Sequence, residues 1–234
     1  MPINIPICFG FIIAAPTPFN TIFWQWINQT YNAFLNYGNR NASSVYTTQD
    51  IFKSYSIACA SSITVGLAIR KLLAKRSAAA TGASLIVLNS VGSFFACASA
   101  GFMNAWFMRQ TEMNKGISVL DPETEEPLGK SKDCAYHAVL QTAISRIFLN
   151  VTIFVPPFFL LAIERMRLMP KNFYLKTLVE GLLISLELYF AVPLGIAIYP
   201  RMGTIEADKL EEEFQGLKNK KGEVIREFIF NKGL

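Results

Sequence analysis

Apolar residues along the chain gather into five segments that are separated by polar or charged residues. The segments cover residues 19–37, 55–73, 83–107, 144–163 and 178–199. A helix needs about 20 residues to cross the hydrocarbon core of a bilayer, and each segment is close to that length. The pattern therefore predicts an all-α membrane protein: a bundle of about five transmembrane helices in a single integral membrane domain, residues 1–234, with a polar tail at 200–234.

The first segment is unusual because carboxamides are interleaved with aromatic residues, in FWQWINQTYNAFLNYGNRN. On a helical wheel, one arc of this segment holds the polar side chains Thr21, Gln25, Asn28, Gln29, Asn32, Asn36 and Asn39. Amides without partners are costly in lipid, so this amide stripe must face a cavity or bond to neighbouring helices. The first alternative predicts a pathway for a small polar solute, and the second predicts hydrogen bonds between helices.

Two charged residues lie inside apolar segments. Glu187 is in the middle of LLISLELYFAVPL, and Arg146 lies in the first turn of segment 144–163. Ionisable groups at membrane depth serve as proton relays or counter-ions, so Glu187 is a candidate for proton coupling, with structural pairing as the alternative. Arg146 could bind a substrate carboxylate, or it could extend its guanidinium to the membrane surface.

Basic residues are concentrated in two short connections, residues 70–82 and 164–177. The positive-inside rule places both, together with the N-terminus, on the cytoplasmic or matrix side. The opposite side then receives residues 38–54, the long loop 108–143 and the tail. Within the long loop, GISVLDPETEEPLGKS is typical of a short hairpin between spans three and four, whereas residues 204–217 predict a short acidic surface helix.

Composition agrees with a membrane protein, because only 17% of the residues are charged, against about a quarter in soluble domains. The net charge of +5 comes mainly from the two basic connections and indicates contact with lipid rather than with nucleic acid. Cys8, Cys59, Cys97 and Cys134 lack paired spacing, and His137 is the only histidine, so no metal or cofactor is expected. No phosphate-binding loop or nucleophile motif is present, which favours a protein that is not an enzyme.

Several stretches together resemble the sideroflexins, a family of five-span proteins of the mitochondrial inner membrane. They are FWQWINQTYNAFLNYGNRN, MRQTEMNKGISV continuing to LGKS, SRIF with the double proline, and the terminal FNKGL. The resemblance covers nearly the whole chain from Trp24 to Leu234. Sideroflexins usually begin with a longer region that holds a His-Pro-Asp-Thr type motif, and we expect most of that region to be missing here, since MPINIPICFGFIIAAPTPF directly precedes the first span.

This resemblance implies a multi-pass protein that transports serine, and other small neutral amino acids, into mitochondria to supply one-carbon metabolism. The substrate-binding residues would then be Gln25, Asn28, Gln29, Asn32, Asn36 and Arg146. The implied partners are membrane lipid, the amino acid and other inner-membrane proteins. The alternative is a scaffold or assembly factor for respiratory-chain or iron-sulfur machinery that transports nothing and offers its acidic tail to partners.

Overall fold

The structure, a computed structural model, describes residues 3–38, 47–197 and 202–232. α-Helices make up most of it. They are α1 (Asn4–Ile13), α2 (Pro18–Gly38), α3 (Thr48–Ala79), α4 (Gly82–Met108), α5 (Gln110–Lys115), α6 (Lys132–Leu149), α7 (Val155–Arg165) and α8 (Phe173–Ala197). Short 3-10 helices cover Asn150–Phe154, Ala207–Lys209 and Glu212–Phe214.

Helices occupy the five predicted segments, with bounds that differ most for α3 and for the fourth segment. α3 extends beyond residues 55–73 at both ends, so most of the predicted connection 70–82, from Arg70 to Ala79, is helical. Within the described residues, three helical stretches are long and apolar enough to cross a membrane: Thr48–Ala79, Ser84–Met108 and Lys132–Arg165. The count of five crossings stays a prediction.

The fourth segment begins well before the predicted residues 144–163. α6 starts at Lys132, where the Ser131 hydroxyl accepts a hydrogen bond from the third residue of the helix. A 3-10 helix then separates α6 from α7 just before Pro156 and Pro157, which cannot donate backbone hydrogen bonds. Arg146 therefore lies in the last turn of α6, and the expectation that it opens the span was wrong.

A small antiparallel sheet packs against the start of α6. Its strands are β1 (Ile117–Leu120), β2 (Pro127–Ser131), β3 (Met202–Glu206) and β4 (Glu227–Asn231), in the order β2-β1-β4-β3. β1 and β2 form the hairpin that the sequence predicted in the long loop. Because β4 pairs with β1, the long loop and the C-terminal tail lie on the same side of the membrane, as expected.

The tail corrects the expectation of an all-α fold with an acidic surface helix at residues 204–217. That region holds most of β3 and then two 3-10 turns. Leu210 and Phe214 are four residues apart, as on one helix face, but they are buried in a core with Phe228 and Phe230. Pairing between distant strands and burial of these side chains decide the local conformation here.

The predicted segments did not include α1, which folds back against α2. Gly10 makes this close approach feasible, because a methyl group at that position would lie 2.0 Å from the Trp24 ring. Ile7 and Phe11 of α1 form a small core with Cys97 of α4. α1 therefore fills the space that α2, α4 and α8 would otherwise leave open.

Side-chain contacts relate the two ends of the bundle to the predicted topology. A methyl group on Gly82, at the connection between α3 and α4, would lie 3.7 Å from Glu164 near the end of α7. The two basic connections therefore lie at one end, the basic end, as expected. At the other end, the sheet end, Lys53 Nζ donates to Gln110 Oε1 at 3.3 Å, which joins the start of α3 to α5.

Candidate functional site

The amide stripe of α2 faces the interior of the bundle. Gln25 and Gln29 are buried, at 2% and 3% exposure, and Thr21 continues the row one turn earlier. On the opposite face, Phe19 and Phe34 are 72% and 71% exposed, as lipid-facing residues should be. The buried members of the stripe, Thr21, Gln25 and Gln29, thus point toward neighbouring helices, as their cost in lipid required.

Two further rows of small or polar residues meet the stripe. On α3 every fourth residue is small and buried, in the row Ser54, Ala58, Ser62 and Gly66. On α4 the corresponding row is Asn89, Ser93 and Cys97, all buried. Residues four apart share one helix face, so three helices present narrow polar faces to one another.

Cys97 is the point where the stripe touches α4. Gln25 Nε2 lies 3.9 Å from Cys97 Sγ, and Asn28 Nδ2 lies 3.8 Å from the same sulfur. A thiol is a weak donor and acceptor, so these contacts use little of the capacity of the two carboxamides. No stronger partner of the buried Gln25 side chain occurs in the described part of the chain, which is unusual for a buried amide.

A small cavity of about 20 Å³ lies beside Gln25, among α1, α2, α3 and α4. Its polar lining includes Asn20, Thr21, Gln25, Arg70, Asn89 and Ser93. This volume suffices for a water molecule and is far below that of an amino acid. In this structure the cavity therefore admits water and not an amino acid.

The remaining predicted amides have different surroundings. Gln29 and Asn32 form no side-chain hydrogen bond within the residues that the structure describes, Gln29 being buried and Asn32 half-buried. The side chain of Asn36 and all of Asn39 lie outside the described residues. Nearer the middle of α2, Thr30 and Tyr55 are joined at 3.0 Å between their hydroxyl oxygens. This bond between α2 and α3 is formed by a residue outside the stripe.

Arg146 lies near Cys97 but is not part of the contacts among Gln25, Asn28 and Cys97. It packs on α4 at Gly101, where a methyl group would lie 3.2 Å from Arg146 Cβ. Gly101 follows Cys97 by one helical turn, toward the sheet end. Arg109 and Lys232 lie within electrostatic range of Arg146. Arg146 is therefore part of a basic cluster at the sheet end, and it does not line the cavity.

Glu187 lies on α8 and is 8% exposed. Thr152, which the 3-10 interruption presents to the interior, donates from its hydroxyl to Glu187 Oε1 at 2.7 Å. Cys8 and Cys97 lie within electrostatic range of the carboxyl group. Glu187 thus has a structural partner and also lies near Cys97, so the arrangement is compatible with both readings of its role.

Ligands for a metal ion are sparse. Within residues 3–38, 47–197 and 202–232, no group of three or more His, Cys, Asp or Glu side chains could hold a metal ion. The cysteines are free thiols, and Cys97 and Cys134 are buried. The buried polar groups of the bundle include amides, hydroxyls and thiols, together with the carboxyl groups of Glu180 and Glu187.

Comparison with known proteins decides the family, because a profile of the sideroflexins matches residues 1–234. The chain belongs to the sideroflexin family. It is 35% identical to a sideroflexin of Dictyostelium discoideum, and the match covers 100% of this chain and 71% of that protein. A sideroflexin of Saccharomyces cerevisiae is 34% identical, with 99% and 70% covered, and sideroflexin-5 of Homo sapiens is 33% identical, with 100% and 67% covered. No solved structure matches the chain.

Membership and fold together make this sideroflexin a multi-pass membrane protein. Its apolar helices surround buried amides. The family assignment supports a carrier-like role.

Sequence reasoning missed Arg70, Cys97 and Thr152 in this sideroflexin. Arg70 was assigned to a connection, although it continues the row of every fourth residue on α3 after Gly66. Cys97 was counted only as a buried thiol, although it follows Ser93 in the corresponding row on α4. The signal for both was the spacing of small residues, which packing alone also produces.

Proposed function

We propose that this sideroflexin carries serine and other small neutral amino acids across the mitochondrial inner membrane and thereby supplies one-carbon metabolism. The observation that carries the proposal is Gln25: a buried carboxamide that, among the described residues, has only a thiol for a partner and lines a polar cavity inside an apolar bundle. Family membership supports the carrier role, and the chemistry of the lining supports the class of solute.

Carboxamides suit a neutral, zwitterionic solute. Each offers two donors and an acceptor without adding a net charge, so it can bind an ammonium, a carboxylate or a hydroxyl group. In the proposal, the solute passes along Gln25, Asn28, Gln29, Asn32 and Asn36. The weak thiol contacts of Gln25 and Asn28 would be exchanged for stronger bonds to the solute.

Two charged residues complete the proposed pathway. Arg146 would attract the carboxylate at the sheet end, where Arg109 and Lys232 add positive charge. Glu187 would take up a proton when the bundle opens and couple transport to it. Its position near Cys97 supports this role. A charge on Glu187 would act through a medium of low dielectric on Gln25 and Asn28, which contact Cys97.

The cavity must widen during transport, because about 20 Å³ does not admit an amino acid. The interruption between α6 and α7 is a natural place for such a movement. Transporters commonly use broken helices next to their sites, where free backbone groups and hinge positions coincide. Thr152, at the interruption, connects this movement to Glu187.

The test replaces stripe amides by leucine in protein reconstituted into liposomes. Gln25→Leu and Asn32→Leu should each reduce serine uptake about fivefold or more, because the loss of one buried hydrogen bond to the solute costs about 1 kcal/mol or more. Gln49→Leu, an exposed position near the start of α3, is the matched control and should leave uptake unchanged. Normal uptake in both stripe variants, with correct insertion, would contradict the site.

The alternative is a scaffold for respiratory-chain or iron-sulfur machinery. The sheet formed by the long loop and the tail would then be the surface for partners at the sheet end. A scaffold requires stoichiometric partners in affinity purification and shows no saturable uptake. The stripe variants would leave partner binding unchanged, so the same proteins distinguish the two functions.

A further inference from the structure

Arg70 is a charged residue on the inward face of α3, not in a surface connection. It follows Gly66 by one turn on α3, on the face that meets α2 and α4, and it lines the cavity beside Gln25. Neighbouring cations on the same helix, such as Arg76, are exposed. Among the basic residues near the end of α3, Arg70 is thus the one that faces the interior of the bundle.

The guanidinium group of Arg70 is incompletely paired. Its Nε is buried and has no hydrogen-bond partner within the described residues. No acidic side chain lines the cavity, and no ion pair of the described part includes Arg70. A buried donor without a partner is costly, more so on a charged group, so the site is suited to an anion from outside the protein.

The other lining residues define what kind of anion fits. Asn20, Thr21 and Gln25 on α2, with Asn89 and Ser93 on α4, surround the cavity with amide and hydroxyl oxygens. Oxygen acceptors next to a guanidinium provide separate places for a positive and a negative group. A zwitterion matches this arrangement, whereas a dianion would leave the acceptors facing negative charge.

We propose that Arg70 binds the α-carboxylate of the transported amino acid at the basic end of the cavity, with the ammonium and side chain directed toward Gln25. This inference rests on the proposed function and assigns the charge-recognising residue of the same site. A guanidinium binds a carboxylate with two parallel hydrogen bonds, which an amide or a lysine cannot reproduce. Arg70 therefore sets the requirement for a free carboxylate, and Arg146 is not needed for it.

A different anion could satisfy the same group. An arginine near a helix end can extend to a lipid phosphate, in which case Arg70 would anchor α3 at the membrane surface. The buried Nε and the position against Gln25 favour the interior ligand. The experiment therefore compares the amino acid with anionic lipid.

The experiment measures binding and transport on the same variants of the 234-residue chain. Thermal unfolding in a neutral detergent is followed with L-serine, with L-serinamide, which lacks the carboxylate, and with phosphatidylglycerol. The variants are Arg70→Gln, Arg70→Lys and, as the matched control, Arg76→Gln. Uptake of labelled serine into liposomes is measured in parallel, with serinamide as a competitor.

The expected result is that serine, and not serinamide, raises the melting temperature of the wild type and of Arg76→Gln. Arg70→Gln should weaken the apparent affinity for serine about tenfold or more, because charge-assisted hydrogen bonds are lost. It should also bring the affinities for serine and serinamide close together. Arg70→Lys should recover only part of the preference. The ratio of the two ligands within one variant is independent of small changes in its stability.

Three results would overturn the inference: an unchanged preference for serine in Arg70→Gln, no preference for the carboxylate in the wild type, or an Arg70-dependent shift with phosphatidylglycerol alone. Failure of the proposed function has a different outcome. If Arg70-dependent serine binding occurs without uptake, the carrier role fails and the carboxylate site stands. If uptake is normal in Arg70→Gln, the carrier role stands and the carboxylate site fails.

Discussion

Gly66 gives the sharpest test of how closely α3 packs against the amide stripe. A methyl group at this position would lie 3.0 Å from Thr21 Cγ2 and 3.4 Å from Ala96 Cβ. Carbon atoms pack best at about 3.5–4.0 Å, so Gly66→Ala requires the Thr21 side chain or α2 itself to give way by a few tenths of an ångström. Overpacking of this kind costs about 1–3 kcal/mol.

Gly92 on α4 provides the matched control. Among the described residues, a methyl group there would meet only Ile69, at 4.0 Å, which is an ordinary contact. Replacing glycine by alanine within a helix stabilises it by about 0.5–1 kcal/mol, and both variants share this gain. The difference between the two variants therefore isolates the packing cost, and Gly66→Ala should be less stable than Gly92→Ala by about 1–3 kcal/mol.

The assay is reversible unfolding in mixed micelles with increasing fractions of denaturing detergent. A second substitution, Thr21→Ser, removes the Cγ2 methyl group that Gly66→Ala would touch, so the double variant should recover most of the lost stability. Equal stability of the two glycine variants would refute the close packing of α2 and α3. So would a double variant whose effects simply add.

Two further predictions concern the ends of the chain. Gly10→Ala should destabilise the protein by at least about 1–3 kcal/mol, because the new methyl group overlaps the Trp24 ring; an unchanged Trp fluorescence and melting temperature would contradict the packing of α1. Burial raises the pKa of Glu211, but hydrogen bonds from the Ser131 hydroxyl and from backbone N–H groups at the start of α6 outweigh it, so this pKa lies below its ordinary value of 4.5. The ionised carboxylate therefore stabilises the fold above about pH 4.5, and this contribution is lost as the pH falls through the lowered pKa. Glu211→Gln should lower the melting temperature at pH 7, and its melting temperature should differ less from that of the wild type near pH 3. An equal difference at both pH values would contradict the role of the Glu211 carboxylate at the start of α6.

The amide stripe shows what periodicity can predict. Gln25 and Gln29 were placed on one face from their spacing, and the cost of amides in lipid correctly turned that face inward. The hairpin of β1 and β2 was likewise visible, because turn residues separate its two halves. Both are local features, and local features are what a single sequence displays most directly.

The tail and Arg70 show where this reasoning ends. β4 pairs with β1, with Phe230 opposite Val119 far away along the chain, and nothing in the tail alone specifies its partner. An arginine at position 70 can be explained in two ways, by orientation of the membrane helices or by recognition of a ligand. The sequence looks the same in both cases. The length of α3, which carries Arg70 into the bundle, is set by tertiary packing and by the tight connection to α4.

The central claim is that this chain moves small neutral amino acids through the polar interior of the bundle. Uptake of labelled serine by liposomes that contain the purified protein, with and without excess unlabelled alanine, tests it most directly. The account predicts saturable serine uptake that alanine reduces. Absence of saturable uptake from protein that is verified to be folded and correctly inserted would contradict it.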